Sequence, residues 1–222
     1  MTDYHSHVLT EMDDGASSVE ESIALLRALA EQGVTTVYAT PHFDPNRDTP
    51  EEFFARRAAS YEKLTAATAG MDLPKVLLGA EVAYFSGIAN MEKLLDFRFE
   101  DSKILLLEMP IDRWSEFAVS ELVKLALMTR VKLCLAHVER YRPLQKKSVW
   151  RKLLDLRVLM QVNASYFLDP KTRRTALKNL KKGEIHLLGS DCHDPKRRPP
   201  RIGEALAALR TAFGRTDVIN RI

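Results

Sequence analysis

Short apolar runs alternate with longer amphipathic segments along most of the chain. Each run has the length of a buried strand rather than of a helix. We identify seven strand candidates, around Asp3–Tyr4 and over Thr36–Ala39, Val76–Leu78, Ile104–Leu107, Lys132–Leu135, Val158–Val162 and Ile185–Leu188. Strands that alternate with helices predict an α/β fold with a parallel sheet, either open or closed into a barrel.

The amphipathic segments carry helix start and stop signals. Ser18–Gln32 has apolar residues at helical spacing, and Ser18 with Glu21 fits a capping box. Thr49-Pro50 predicts a second helix start, because proline lacks an amide hydrogen that the first turn would leave unpaired. The other helix candidates are Trp114–Arg130, Ser148–Arg157, Ile202–Phe213 and a segment that starts at Asp169-Pro170.

Composition bounds the class of protein. With 222 residues, 45% hydrophobic and 28% charged, the chain is typical of a globular protein with one large domain over residues 1–222. No apolar run is long enough to predict a membrane span. Met1 leads directly into the first histidine pair without a signal-like segment, so we expect a cytoplasmic protein. Two cysteines argue against a disulfide scaffold.

Histidines and carboxylates recur just after the strand candidates. Five of the six histidines are of this kind, whereas His186 lies inside an apolar run. The candidate ligands are His5, His7, Asp14, His42, Glu81, Glu108, His137, Asp191 and His193. In a barrel the carboxyl ends of all strands meet at one mouth, but an open sheet spreads them along a line. The pattern therefore favours a distorted barrel of seven strands with a site for several divalent metal ions.

Several motifs together resemble a known family. They are Asp3-x-His5-Ser6-His7, Asp13-Asp14-Gly15, Glu21-Ser22-x-x-Leu25-Leu26, Ala39-Thr40-Pro41-His42, Gly79-Ala80-Glu81, His137-Val138-Glu139-Arg140 and Ser190-Asp191-Cys192-His193. This set is similar to the polymerase and histidinol phosphatase (PHP) superfamily. Within it, the set is most similar to the bacterial manganese-dependent protein tyrosine phosphatases of capsular and exopolysaccharide loci. The resemblance runs from residue 3 to about residue 200.

The resemblance implies an α/β fold, a distorted seven-stranded (β/α)7 barrel of PHP type, with three metal ions. One ion would be held by His5, His7, Glu81 and Asp191, a second by Glu81, Glu108 and His137, and a third by Asp14, His42 and His193. The carboxylates favour Mn²⁺, with Fe, Mg²⁺ or Zn²⁺ as alternatives set by availability.

The resemblance also implies how the site would work. A metal-bridging water would attack phosphorus, and Arg140 and Arg198 would bind the phosphate, with Arg197 a close competitor of Arg198. The implied substrate is a phosphotyrosine protein, the tail of a bacterial tyrosine kinase that controls polysaccharide export. The Glu21–Leu26 helix segment could contribute to contacts in a homo-oligomer, although packing and capping of the first helix is its simpler role.

Three alternatives stay open. A PHP enzyme could hydrolyse histidinol phosphate or another small phosphomonoester, but Asp13-Asp14-Gly15 and His137-x-Glu139-Arg140 argue against this. A PHP nuclease would need aromatic residues among the basic ones, and Tyr141, Trp150 and Tyr166 are too scattered, so nucleic acid is not the expected partner. A binding protein without activity is disfavoured because all nine ligand positions are filled.

Two segments match the Cys-x₅-Arg motif of cysteine-dependent tyrosine phosphatases, Cys134–Arg140 and Cys192–Arg198. Such a loop needs small, flexible residues so that consecutive amides can face the phosphate. The first segment has no glycine and puts Glu139 against the anion, and the second contains Pro195, which lacks an amide hydrogen. We therefore expect both cysteines to be structural.

Overall fold

Parallel strands surrounded by helices make up residues 1–214, the part of the chain that the computed structural model describes. The strands are β1 (Thr2–Ser6), β2 (Thr36–Ala39), β3 (His42–Phe43), β4 (Lys75–Leu78), β5 (Glu81–Ala83), β6 (Ile104–Glu108), β7 (Lys132–Leu135), β8 (Leu159–Asn163) and β9 (Leu187–Gly189). The α-helices are α1 (Val19–Glu31), α2 (Pro50–Ala67), α3 (Glu116–Leu127), α4 (Lys147–Asp155), α5 (Ser165–Leu168), α6 (Arg173–Lys181) and α7 (Ile202–Phe213). None of these helices is long and apolar enough to span a bilayer.

The strands form two sheets in which every pair is parallel. One sheet has the order β1-β2-β4 and the other β3-β5-β6-β7-β8-β9. The first and last strands, β1 and β9, also contact each other. Just beyond β9, Cys192 forms a parallel bridge with Ser6, and its carbonyl accepts from the His7 amide at 2.9 Å. The result is a curved half-barrel, which confirms the predicted parallel α/β architecture.

The described residues contain nine strand segments where the sequence analysis predicts seven strands. The two additional segments, β3 and β5, lie just beyond β2 and β4. Pro41 separates the first pair and has no amide hydrogen to give to a ladder. Gly79 follows β4 where the chain passes Phe99, and a Cβ at this position would lie 2.7 Å from the Phe99 ring. These two breaks turn the chain so that His42 and Glu81 each start a new segment.

Most predicted helix starts are present, with two corrections. Thr49 and Glu52 form a complete capping box at α2. Ser18 caps α1, but the Glu21 carboxylate accepts from the Ser17 amide and hydroxyl instead of completing a box with Ser18. The start predicted at Asp169-Pro170 is wrong, because Asp169 accepts from the Lys171 amide in a turn and α6 begins at Arg173.

The sheet is buried on both faces. Leu105 and Leu107 of β6 pack into the large core that the helices cover, while Leu106 and Cys134 belong to a smaller apolar cluster on the opposite face. Ser22, Leu25 and Leu26 of α1 are also buried within the chain, so the Glu21–Leu26 segment is explained by packing of the first helix. Polar side chains collect instead where the strands end.

Candidate metal centre

All nine candidate ligands lie together at one edge of the sheets, beyond the carboxyl ends of β2 and β4 and at or beyond those of β1, β6, β7 and β9. Four of them belong to strands: His5 to β1, His42 to β3, Glu81 to β5 and Glu108 to β6. The other five lie in the loops that follow β1, β7 and β9: His7, Asp14, His137, Asp191 and His193. Residues far apart in sequence meet here because parallel strands end at the same edge of the sheet.

Glu81 is at the centre of the cluster and is fully buried. Its Oε2 lies 3.0 Å from His5 Nε2, 3.4 Å from His7 Nε2 and 3.1 Å from His42 Nδ1. Its Oε1 lies 2.8 Å from His137 Nε2. One carboxylate therefore faces four imidazoles, a geometry in which it could bridge two metal ions.

The other carboxylates border this centre. Asp191 Oδ1 lies 3.5 Å from His7 Nε2, and Glu108 Oε1 lies 3.2 Å from His137 Nε2. Asp14 Oδ1 lies 3.3 Å from His193 Nε2. Three overlapping groups have their ligand atoms within 4.8 Å of one another: His5, His7 and Glu81; His42, Glu81 and Glu108; and His7, Asp14, His42 and His193. His7 and His42 each belong to two groups, so the groups are more interlinked than the three predicted sets.

Three imidazoles are held with one nitrogen free for a cation. The Nδ1 atoms of His5, His7 and His193 contact oxygen acceptors: Gln161 Oε1 at 3.1 Å, Asp13 Oδ2 at 2.7 Å and the Asp191 carbonyl at 3.0 Å. Nδ1 must donate in each pair, which leaves a lone pair on Nε2 when the imidazole is neutral. His193 Nε2 is buried without a hydrogen-bond partner. This pattern is typical of metal-binding histidines and fits the donor set of a metal site.

The charges of the cluster also suit cations. Burial opposes ionisation of Glu81, but His5, His137 and His7 hold its pKa well below the usual range. Burial likewise opposes protonation of His137, yet Glu108 and Glu81 raise its pKa to about 9. The carboxylates therefore require positive charge nearby, which protons on the imidazoles or bound metal ions can supply.

Asp13 has a role that the ligand assignment missed. Its Oδ2 accepts from His7 Nδ1 and from the His42 amide at 2.8 Å, and its Oδ1 accepts from the Gly15 amide at 2.9 Å. A Cβ on Gly15 would lie 2.4 Å from the His7 carbonyl oxygen. The Asp13-Asp14-Gly15 motif thus combines a candidate ligand with the carboxylate that orients His7 and the glycine that lets the loop approach.

Strand β8 contributes polar support instead of a ligand. Gln161 Oε1 accepts from His5 Nδ1 and from the His137 amide at 2.6 Å, and its Nε2 donates to Asn163 Oδ1 at 3.1 Å. Asn163 Nδ2 donates to Asp191 Oδ2 at 2.7 Å. Both side chains are buried, so this network holds candidate ligands from three strand ends. Two amides within an otherwise apolar run were the sequence signal for this role.

Two candidate ligands have strained backbones. The φ angles of His137 and Asp191 are 26° and 53°, in the left-handed region that costs a residue other than glycine about 1–2 kcal/mol. The Gln161 side chain holds the His137 amide, and the His5 carbonyl accepts from the Asp191 amide at 2.8 Å. Such strain persists where the surroundings fix a side chain for function.

Arg140 and Arg198 reach the same carboxylate. Arg140 Nη2 lies 2.6 Å and Arg198 Nη2 3.0 Å from Asp191 Oδ2. Arg197 points elsewhere, since its side chain is 90% exposed and its Nε lies 3.6 Å from Asp194. Of the two adjacent arginines, Arg198 therefore faces the cluster.

The remaining histidine and the cysteines lie apart from this chemistry. His186 Nδ1 accepts from the Met160 amide, at the opposite end of β9 from the cluster. Cys134 and Cys192 are fully buried, and burial raises the pKa of both thiols far above neutrality. Neither Cys-x₅-Arg match therefore supplies a thiolate.

Sequence comparison finds proteins that are similar to this chain over nearly its whole length. A family model described as capsular polysaccharide synthesis, CpsB/CapC, matches residues 1–222. The tyrosine-protein phosphatase CpsB of Streptococcus pneumoniae is 30% identical, over 96% of this chain and 91% of that protein. The tyrosine-protein phosphatase YwqE of Bacillus subtilis is 29% identical, over 96% of this chain and 85% of that protein.

Solved structures extend the likeness to three dimensions. One, from a study of Bacillus subtilis YwqE and Streptococcus pneumoniae CpsB as metal-dependent tyrosine phosphatases, has a TM-score of 0.85 at 27% identity and covers 99% of this chain and 90% of its own. A Lactococcus lactis histidinol phosphate phosphatase, solved with zinc, L-histidinol and phosphate, has a TM-score of 0.61 at 14% identity. The match covers 99% of this chain and 92% of that one, and it shows a shared fold alone. The likeness to CpsB and YwqE confirms the predicted kinship with tyrosine phosphatases of capsular loci. The family model matches every residue of the chain, which therefore belongs to the CpsB/CapC family of capsular polysaccharide synthesis.

Proposed function

We propose that this chain is a metal-dependent protein tyrosine phosphatase, a phosphoric monoester hydrolase that releases phosphate from phosphotyrosine. The observation that carries the proposal is the convergence of five histidines and four carboxylates at one edge of the sheet. Relatives similar over nearly the whole chain are named tyrosine-protein phosphatases, which supports the same reaction here.

The cluster would hold three divalent ions, in the groups that the sequence analysis assigns to His5, His7, Glu81 and Asp191, to Glu81, Glu108 and His137, and to Asp14, His42 and His193. Mixed imidazole and carboxylate ligands favour Mn²⁺, with Fe, Mg²⁺ and Zn²⁺ as alternatives. Three such ions with four carboxylates and neutral imidazoles would leave about two positive charges, which matches a phosphate dianion. Bound ions would lower the pKa of an attacking water and offset negative charge on the phosphoryl oxygens.

The side chains around the ligands would keep this geometry fixed. Asp13 and Gln161 orient His7 and His5 through Nδ1. Arg140 and Arg198 would bind the phosphoryl oxygens, since guanidinium groups can donate two parallel hydrogen bonds to such an anion. Both already lie against Asp191, which would set them beside the reacting group.

The proposed substrate is a phosphorylated tyrosine in the tail of a bacterial tyrosine kinase that controls capsule or exopolysaccharide export. The capsular role of the family supports this choice. A tyrosyl leaving group has a pKa of about 10, so it needs less protonation than an alkyl alcohol.

We also propose that residues 1–222 form one PHP-type domain on a distorted seven-stranded barrel. In this count, β2 and β3 together form one interrupted strand, and β4 and β5 together form another. The short separations at Thr40-Pro41 and Gly79-Ala80 support this interpretation, as do the contacts between β1 and β9.

Turnover of two substrates tests the reaction. The protein is stripped with a chelator, and hydrolysis of a phosphotyrosine peptide and of histidinol phosphate is measured with and without added Mn²⁺. We expect turnover that requires the metal and favours the peptide. Activity that resists the chelator would overturn the metal-dependent mechanism, and a preference for histidinol phosphate would overturn the substrate.

A pair of histidine variants tests the site. His42→Ala removes a candidate ligand whose side chain is 27% exposed at the rim, so the fold should tolerate it. His186→Ala is the matched control, because His186 lies outside the cluster. We expect His42→Ala to reduce turnover by about a hundredfold or more while its unfolding midpoint changes little. Wild-type turnover in His42→Ala would exclude His42 as a ligand.

A further inference from the structure

A cleft rich in arginine opens beside the candidate metal centre. It has a volume of 230 Å³, and its walls include Arg140, Arg197, Arg198 and Arg201 together with Asp191. Four arginines and one carboxylate thus line the same cleft, and two of these arginines, Arg140 and Arg198, contact the carboxylate. This volume corresponds to about eight water molecules in the bulk liquid, which is enough for a substrate side chain as well as a phosphate.

The two inner arginines already have a purpose. Arg140 and Arg198 contact Asp191, and Arg198 Nη1 also lies 3.7 Å from Asp14 Oδ2. Under the proposed function, both arginines would bind the phosphate of the substrate. This role does not account for the other two arginines of the cleft, Arg197 and Arg201.

The two outer arginines are not required by the site. Arg197 is paired only loosely with Asp194, and Arg201 pairs with Glu204 one turn along α7. Arg201 also occupies the N-cap of α7 without a side-chain cap, where a cation opposes the helix dipole. Arg201 thus has a position that is unfavourable for the helix, on the wall of a cleft next to the candidate metal centre. This placement indicates a role in binding.

We propose that Arg197 and Arg201 form a subsite for a negatively charged group that flanks the phosphotyrosine of the substrate. This inference rests on the proposed function. The ligand is an anion of the substrate chain, either the carboxylate of an acidic residue or a second phosphoryl group. Arg140 and Arg198 then bind the phosphate that is removed, while the outer pair selects the sequence around it.

Peptides that differ only in their flanking residues test the subsite. Four peptides share one central phosphotyrosine and differ only at the two nearest positions on either side. These positions carry glutamate in one peptide, and a second phosphotyrosine, glutamine or lysine in the others. Para-nitrophenyl phosphate serves as a substrate without flanking residues. Two exposed ion pairs correspond to about a fivefold advantage in kcat/KM for an anionic flank over glutamine. This advantage should shrink as salt is raised. Preference for either anion supports the subsite, and the larger preference identifies its source.

Matched variants separate the subsite from the general field of the protein. Arg197→Gln/Arg201→Gln should lose the flank preference and keep wild-type turnover of para-nitrophenyl phosphate. Lys103→Gln/Arg130→Gln removes the same charge just before β6 and β7, at the far end of the strands, and should keep the preference.

Three results would overturn the inference. They are equal turnover of the anionic and glutamine peptides by the wild-type protein, a preference unchanged by salt, and a preference that survives in Arg197→Gln/Arg201→Gln. The proposed function fails in a different way, because then no phosphotyrosine peptide is hydrolysed with Mn²⁺, and the subsite falls with it.

Discussion

Gln161 offers the sharpest test of how the fold supports the candidate site. Replacement by methionine keeps the length and approximate volume of the side chain but removes its amide. The wild-type amide accepts from His5 Nδ1 and the His137 amide and donates to Asn163, all in a fully buried position. Gln161→Met therefore leaves two buried donors without an acceptor.

The size of the effect follows from these contacts. An unsatisfied buried donor costs about 1–3 kcal/mol, so the two donors together predict a loss of about 2–6 kcal/mol in the free energy of unfolding of the metal-free protein. The freed His5 ring can rotate, and the strained His137 backbone loses the contact that holds it. Loss of such a supporting partner reduces metal affinity or turnover by about 10- to 100-fold.

Three measurements distinguish a positioning role from a merely structural one. They are urea unfolding of the metal-free protein, Mn²⁺ affinity by competition with a chelator, and kcat/KM on a phosphotyrosine peptide. Met160→Leu is the control, because Met160 is the buried neighbour on β8 and the exchange alters no polar contact of Gln161. If Gln161→Met unfolds more easily but binds Mn²⁺ and turns over like the wild type, the positioning role is refuted.

Three further predictions concern the loop glycine, the cysteines and the metal itself. Gly15→Ala should reduce Mn²⁺ affinity and turnover by about tenfold or more, because its Cβ would lie 2.4 Å from the His7 carbonyl oxygen. Gly203→Ala should not, because the three atoms nearest to its Cβ all belong to Gln32, which is not a candidate ligand, and equal effects of the two variants would refute the explanation. Cys134→Ser/Cys192→Ser should keep turnover that depends on Mn²⁺, since both thiols are buried and protonated; loss of activity in a folded variant would reinstate thiol chemistry. Added Mn²⁺ at about a hundred times its dissociation constant should stabilise the fold by about 2.7 kcal/mol per site in thermal unfolding, and no shift would argue against binding to the native state.

The hydrophobic pattern predicted most of the elements correctly. Strands such as Lys132–Leu135 and the helix Ile202–Phe213 match the structure at both ends, because buried strands and amphipathic helices leave distinct apolar periods. The short helix Ser165–Leu168 was missed, since four residues carry no period. The break that creates β5 was missed for another reason: it depends on the close approach of Gly79 to Phe99, which sequence spacing does not encode.

The sequence by itself determined the parallel α/β architecture, the kinship with tyrosine phosphatases of capsular loci and the nine candidate ligands, because strand ends carry histidines and carboxylates in a recognisable set of motifs. Only the tertiary structure decided which neighbours hold those ligands. Gln161 and Asn163 contact His5 and Asp191, which are distant along the chain. Asp13 joins the nearby His7 ring to the distant His42 amide, and Arg198 rather than Arg197 turns toward Asp191. These roles depend on the direction of a side chain and the curvature of the sheet, which arise only when all the strands pack together.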